Sequence, residues 1–379
     1  MKIQQRCWMR GAWDSKADWS LGKSAQLVLA FGSGQMLCDK QLTEEIRKAH
    51  PTAQMIGCST AGEICGGSVN DDSLVVTAIA FQQTKVKVAQ AHFGESTHSF
   101  PVGQKLAAEL AADDLVHVLV FSDGLNVNGS ELAKGLSSAL ATNVAVTGGM
   151  SGDGSKFQRT FTYCNGELGD HVVVAVGLYG SSIRAGYGSL GGWDPFGPER
   201  IITRSVGNVL YELDGESALA LYKRYLGPYA ADLPASGLRF PLSIRASLSD
   251  TPVVRTILGI DEQQQSMTFA GDIPQGSYAR LMRSSFEHLI TGATTAATRS
   301  QEGLGSDSAE LAILISCVGR KLIMQQRTDE EVDAVRAVLG TRPVFTGFYS
   351  YGEISPFEAS AKCELHNQTM SVTVLCEAA

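Results

Sequence analysis

One succession of segments occurs three times in this chain, and it constrains the fold more than any single motif does. A short apolar run, Gln26–Phe31 (QLVLAF), is followed by an amphipathic stretch (LTEEIRKAH), a glycine loop (GCSTAGEI) and a second apolar run, SLVVTAIAF. The order returns as HVLVFSDG, ELAKGLSSAL, VAVTGGMSGDG and HVVVAVGLYG, and again as ELAILISCVG, DEEVDAVRAVLG, PVFTGFYSYGEIS and TMSVTVLCE. Short, unbroken apolar runs suit strands buried on both faces. Val28 to Gly57 and Leu119 to Gly148 each span 29 positions, and Ile313 to Gly347 spans 34. Each copy therefore reads as strand–helix–strand–glycine loop–strand.

Helix signals fall between the strands. Asn128-x-x-Glu131 and Thr328-x-x-Glu331 have the form of capping boxes, which satisfy free backbone N–H groups at a helix start. Val332, Val335, Val338 and Leu339 then lie on one helical face. The expected fold class is α/β, with two α/β domains built from these repeated units. Residues 24–185 hold the first two copies and residues 200–379 the third, with the glycine- and proline-rich GYGSLGGWDPFGPE (186–199) between them.

Charge and cysteine usage narrow the function classes. With 31 Lys+Arg against 39 Asp+Glu the net charge is −8, which argues against broad binding to nucleic acid or to an anionic membrane. The sequence has no apolar run of transmembrane length and no signal-peptide pattern at its start, so a cytoplasmic location is expected. The 8 cysteines include no CxxC pair and are read as free, largely buried thiols.

Familiar catalytic signatures are missing. Gly186-x-Gly188-x-x-Gly191 matches a dinucleotide fingerprint, but Pro195 and Pro198 follow where that fingerprint must open a helix. No P-loop and no HExxH occur, and neither Ser59 nor Ser151 has the spacing of a nucleophile elbow. No catalytic residue is assigned, and the chain is expected not to be an enzyme. A hydrolase using Ser59 or Ser151 is the weaker alternative.

Ligands of open α/β sheets sit beyond the carboxyl ends of strands, where the glycine loops fall. The candidate ligand-binding residues are therefore Gly57, Ser59, Thr60, Glu63, Ser151, Tyr349, Tyr351, Gly352 and Glu353. Glycine permits close backbone approach, while the others offer hydroxyls or carboxylates. The same residues read equally well as scaffolding that holds the loops.

GCSTAGEI (Gly57–Ile64) resembles the hallmark of the FIST N-terminal domain. GFYSYGEISP (Gly347–Pro356) with LHNQTM (Leu365–Met370) is similar to the end of the FIST C-terminal domain. The resemblance runs from about residue 24 to 376. It implies an intracellular bacterial sensory module for small ligands, with a subset of nitric-oxide-sensing haemoproteins that act with a histidine kinase. Membership of that subset implies haem b and an axial histidine, for which His366 is the first candidate and His288 the second. It also implies a histidine kinase or other signalling protein as partner in trans. The alternative within the same resemblance is a haem-free receptor for a small metabolite such as an amino acid.

Overall fold

The structure, a computed structural model, describes residues 1–14, 19–94, 98–357 and 362–378. In the first copy the apolar run forms strand β1 (Leu27–Gly32). Helix α1 (Lys40–Ala49) follows, then strands β2 (Gln54–Ser59), β3 (Glu63–Cys65) and β4 (Leu74–Ala80). The second copy forms β5 (Leu115–Ser122), α2 (Gly129–Ala139), β6 (Ala145–Met150), β7 (Thr162–Cys164) and β8 (Val172–Tyr179). The third forms β9 (Leu311–Cys317), α3 (Asp329–Leu339), β10 (Val344–Ser350), β11 (Gly352–Pro356) and β12 (Met370–Glu377). The α/β class and the repeated unit are as the spacing implies.

Within each unit the first two strands run parallel, as a helical crossover requires, and the last strand lies antiparallel to the first. The parallel pairs share one register: Ala30 faces Gly57, Val120 faces Gly148 and Leu314 faces Gly347. A Cβ on these three glycines would lie 1.7, 1.9 and 1.8 Å from the facing residue's carbonyl oxygen. No side chain fits there, which is why glycine recurs at this place.

The short strand after each loop leaves its own unit. β3 pairs with β10, β11 pairs with β6, and β7 pairs with β2. Each unit thus lends a strand to the next around a closed ring of three mixed sheets. Alternation along the strands makes each sheet two-sided. Leu29 and Phe31, Leu119 and Phe121, and Ile313 and Ile315 enter one shared apolar cluster, while Val28 and Ala30, Val118 and Val120, and Ala312 and Leu314 pack outside it. At the centre, Phe31 lies 5.3 Å from Phe121 and 4.8 Å from Phe348 between ring centroids.

Residues 194–283 form a β-rich module with a separate core that includes Ile202, Leu210, Tyr222, Ile244, Phe269 and Leu281. It contacts the ring through Asn128 Nδ2 to Asp272 Oδ1 at 2.8 Å and Arg255 Nη1 to the Leu365 carbonyl at 2.9 Å. The glycine-rich segment before it is not irregular. Gly186 and Gly188 lie in the strand Ile183–Leu190, where a Cβ would meet the Ser300 and Ala296 carbonyls of the helix Phe286–Gly303 at 2.0 and 2.2 Å. These glycines let a helix lie directly on strand backbone.

The two expected caps differ. The Asn128 side chain accepts from Glu131 N at 3.1 Å and caps α2. Thr328 has helical φ/ψ and its hydroxyl donates to the Gln325 carbonyl, so it caps nothing. Glu331 points inward instead, because the buried Arg320 guanidinium offers it two charge-assisted bonds.

Candidate functional site

The loops that follow β2, β6 and β10 meet at one end of the ring and bond to one another. Ala61 N donates to the Tyr349 carbonyl at 2.8 Å, Gly152 N to the Ser59 carbonyl at 2.8 Å, and Tyr351 N to the Met150 carbonyl at 3.2 Å. Two glutamates lock these loops to the strands that follow. Glu63 accepts from the Thr60 hydroxyl, from Ser73 N at 3.1 Å and from Ser73 Oγ at 2.6 Å. Glu353 accepts from Ser350 Oγ at 2.5 Å, Thr369 N at 3.2 Å and Thr369 Oγ1 at 2.9 Å. Burial raises both carboxyls, Glu63 to about 7 and Glu353 to about 8, against the opposing pull of those hydrogen bonds.

The second unit has no GEI glutamate, and Asp123 takes the part from a different position. Its carboxylate accepts from Leu125 N, Asn126 N, Asn126 Nδ2, Thr160 Oγ1 and His171 N, at 2.8 to 3.1 Å. Asp123 lies at the register position held by Ser33 and Cys317 in the other units, as their N–H bonds to Val172, Ser73 and Thr369 carbonyls show. The repeat marks that position, but the residue type differs each time, so nothing in the pattern singles it out.

The remaining candidates are likewise built into the loops. Ser59 Oγ accepts from Phe161 N at 2.8 Å, and Ser151 Oγ donates to the Ser122 and Phe161 carbonyls at 2.7 and 3.0 Å. Tyr349 donates to Glu331 Oε1 at 2.6 Å, beside Ser316 and Arg320. Ser59, Ser151, Tyr349 and Glu353 are 0% exposed and Glu63 is 1% exposed. Gly57 faces the Ala30 carbonyl, and Gly352 packs against Leu365 and Met150.

Tyr351 is the sequence candidate that reaches the better-enclosed open space. Its ring stacks on Phe157 at 4.3 Å, and its hydroxyl donates to Asp153 while accepting from Asp153 N at 3.1 Å and Phe157 N at 3.2 Å. It borders a cleft of about 300 Å³ between the ring and the inserted module. The ring contributes Gly124–Gly129, Met150, Phe157, Cys317–Gly319, Tyr351 and Leu365. The module contributes Asn208, Leu238, Thr256, Leu258 and Phe269–Gly271. Thr256 is 5% exposed and its hydroxyl has no hydrogen-bond partner among the described residues. Buried polar atoms are rarely left so, and this one lies on the cleft wall. Thr60 and Glu63 border a second, more open cleft with Ser33, Asp72, Asp153 and Lys156. The module's contribution had no visible signal in the sequence, because the residues come from a short helix, strands and loops far apart along the chain.

Neither His366 nor His288 is set as an axial ligand would be. An axial ligand needs an available ring nitrogen facing a roomy apolar pocket. His366 is 1% exposed, its Nε2 lies 2.9 Å from the Ser355 carbonyl, and its ring packs against Phe357. Burial lowers its pKa to about 4, so the ring is neutral, but the nitrogen is committed to backbone. His288 has a side chain 52% exposed at the surface, with Nδ1 2.5 Å from Asp194 Oδ2. Among the described residues no group of three or more His, Cys, Asp and Glu is arranged to hold a metal ion, and no helix is long and apolar enough to cross a membrane.

Comparison with known proteins bears on the whole chain. An uncharacterized protein of Methanocaldococcus jannaschii is 22% identical over 341 residues, which cover 83% of this chain. The match spans 63% of that relative's length. Among solved structures, the cyanuric acid hydrolase from A. caulinodans aligns over 100% of this chain and 98% of its own, at 8% identity and a TM-score of 0.39. A second cyanuric acid hydrolase aligns over 99% of each chain, at 10% identity and a TM-score of 0.31. Scores this low carry no argument about activity. Residues 26–216 match the FIST N domain and residues 218–356 the FIST C domain, a family associated with small-ligand sensing in signalling, and the chain belongs to the FIST family.

Proposed function

We propose that this chain is a non-catalytic small-ligand sensor whose ligand occupies the cleft between the ring and the inserted module. The observation that carries this reading is the unpartnered Thr256 hydroxyl in a cleft whose walls belong to two separate cores. A molecule touching both walls favours the arrangement in which they are close, and differential affinity of that kind shifts a conformational population. Leu238, on the short helix Ala235–Arg239, faces the cleft while Arg239 next to it is exposed. Displacing that turn therefore changes the outer surface, where a signalling protein such as a histidine kinase would read it.

Cleft chemistry favours the haem-free reading. Among the described residues no Asp, Glu, Lys or Arg borders it; amides of Asn126, Asn128 and Asn208, the Thr256 and Tyr351 hydroxyls and glycine backbone alternate with apolar side chains. A compact molecule with an apolar body and one or two hydrogen-bonding groups suits such walls better than a free amino acid, whose charges would meet no opposite charge there.

Thermal-shift screening of the full chain against neutral and charged metabolites tests this, followed by calorimetry on any hit. Thr256→Val should weaken binding about fivefold, the worth of one hydrogen bond near 1 kcal/mol. Leu258→Asp, at a half-exposed position on the cleft wall, should abolish binding of a neutral hit. A hit that binds both variants like wild type removes the cleft from the account. A Soret band that shifts with nitric oxide would return the haem reading.

A further inference from the structure

We propose that Cys7 and Cys65 form a reversible disulfide on exposure to hydrogen peroxide, tying the N-terminal strand to the strand that unit one lends to unit three. The strand Lys2–Met9 flanks β4, with Gln5 opposite Thr77 and Cys7 opposite Val75. On the neighbouring sheet, Cys65 of β3 lies opposite Thr346 of β10. The hydroxyls of Thr77 and Thr346 meet at 2.9 Å, so the two sheets approach closely enough here for small side chains to touch. Gln5 bridges the same gap, accepting from Cys65 Sγ at 3.5 Å and donating to the Phe345 carbonyl at 2.8 Å. Cys7 is two residues from Gln5 on one strand and so projects from the same face, toward Cys65.

The two thiols differ in a way that suits them to different parts of the reaction. The two sulfurs interact, so that ionising one strengthens the other's hold on its proton, and exposure decides which one a peroxide reaches. Cys65 is half-buried and Cys7 is 1% exposed. A peroxide-sensing cysteine is characteristically a reachable, low-pKa thiol beside a resolving partner. Cys58 and Cys317 are fully buried with thiols pushed up by desolvation, which leaves them inert.

The chemistry balances with peroxide as the two-electron oxidant. The Cys65 thiolate attacks one peroxide oxygen, the S–O bond forms, the O–O bond breaks, and hydroxide leaves as water after protonation. The Cys7 sulfur loses its proton and attacks the Cys65 sulfur; the S–S bond forms, the S–O bond breaks, and a second water departs. Two thiols are oxidised and one peroxide is reduced to two waters.

The test treats the full-length protein with hydrogen peroxide, alkylates the remaining thiols and maps non-reduced peptides by mass spectrometry. The expected product is a peptide pair linked through Cys7 and Cys65, two hydrogens lighter than its parts and released by dithiothreitol. In Cys7→Ser the resolving step is lost, so dimedone should trap sulfenic acid at Cys65 several-fold more than in wild type. Oxidation confined to the exposed Cys38 with no linked pair overturns the proposal, as does dimedone labelling of Cys65 that is equal with and without Cys7. If Cys7→Ser folds poorly, the wild-type peptide map alone decides.

Discussion

Glu63 and Glu353 are held where desolvation and hydrogen bonding act in opposite directions, and desolvation wins. Their carboxyls stand at about 7 and about 8 in the folded chain, above an ordinary value of 4.5. A raised folded pKa means the native state keeps its proton over a range where the unfolded chain has lost it. The associated stability is complete below the unfolded pKa and disappears as pH rises through the folded one. His117 and His366, both lowered to about 4 by burial, act with the opposite sign, but their contribution is complete by about pH 6.5. Between roughly pH 6.5 and 8.5 the two glutamates should therefore dominate, and the melting temperature should fall as pH rises. Calorimetry on Glu353→Gln should show a flatter upper part of that fall, and Glu63→Gln a flatter lower part. A melting temperature that rises across this window, or an unchanged slope in both variants, would refute the assignment. The repeated GEI motif revealed that these residues are equivalents, but not that they key loops to strands. That distinction depends on Ser73 and Thr369, which precede later strands: Ser73 lies in no motif, and LHNQTM contains Thr369 without showing that it donates to Glu353.

At the scale of elements, the glycines at the parallel-strand contact make the sharpest test. Gly148→Ala places a methyl group 1.9 Å from the Val120 carbonyl, in a backbone with φ of +156°. Neither strand can retreat without breaking its ladder, so a loss of about 4 kcal/mol or more is expected in denaturant titration. Gly154, with φ of +72° and open space around its Cβ direction, is the control; alanine there should cost only about 1–2 kcal/mol for the left-handed conformation. Equal losses would mean that backbone conformation, not strand contact, explains the repeat glycines. These elements were legible because apolar runs and amphipathic stretches are local signals. Where tertiary contacts decide, local reading failed: Thr328 lost its expected cap because Glu331 found Arg320, and GYGSL became strand because a helix covers it.

The whole molecule rests on an exchange that the sequence does not disclose. Spacing within a copy shows what one unit contains, but pairing of β3 with β10, β11 with β6 and β7 with β2 joins segments from different copies. Each lent strand covers an edge of another unit's parallel pair, an edge that would otherwise expose unpaired backbone groups. No unit can then open alone without uncovering another's sheet, so the ring should unfold as one cooperative body. The inserted module has its own core and meets the ring partly through polar contacts such as Asn128 to Asp272, so it can open separately. Native-state hydrogen exchange distinguishes these behaviours, because cooperative units exchange with a common free energy and denaturant dependence. Amides of β3, β7 and β11 should exchange together with those of β1, β5 and β9, at the global unfolding free energy. Amides of the strands Val209–Leu213, Ser266–Phe269 and Tyr278–Arg283 should exchange through a smaller opening at lower free energy. A ligand in the cleft should raise that lower value toward the global one, since it binds only when module and ring are together. Early, independent exchange of β3 or β11 would instead mean that the lent strands are appendages, and that the three units are held by their shared apolar centre alone.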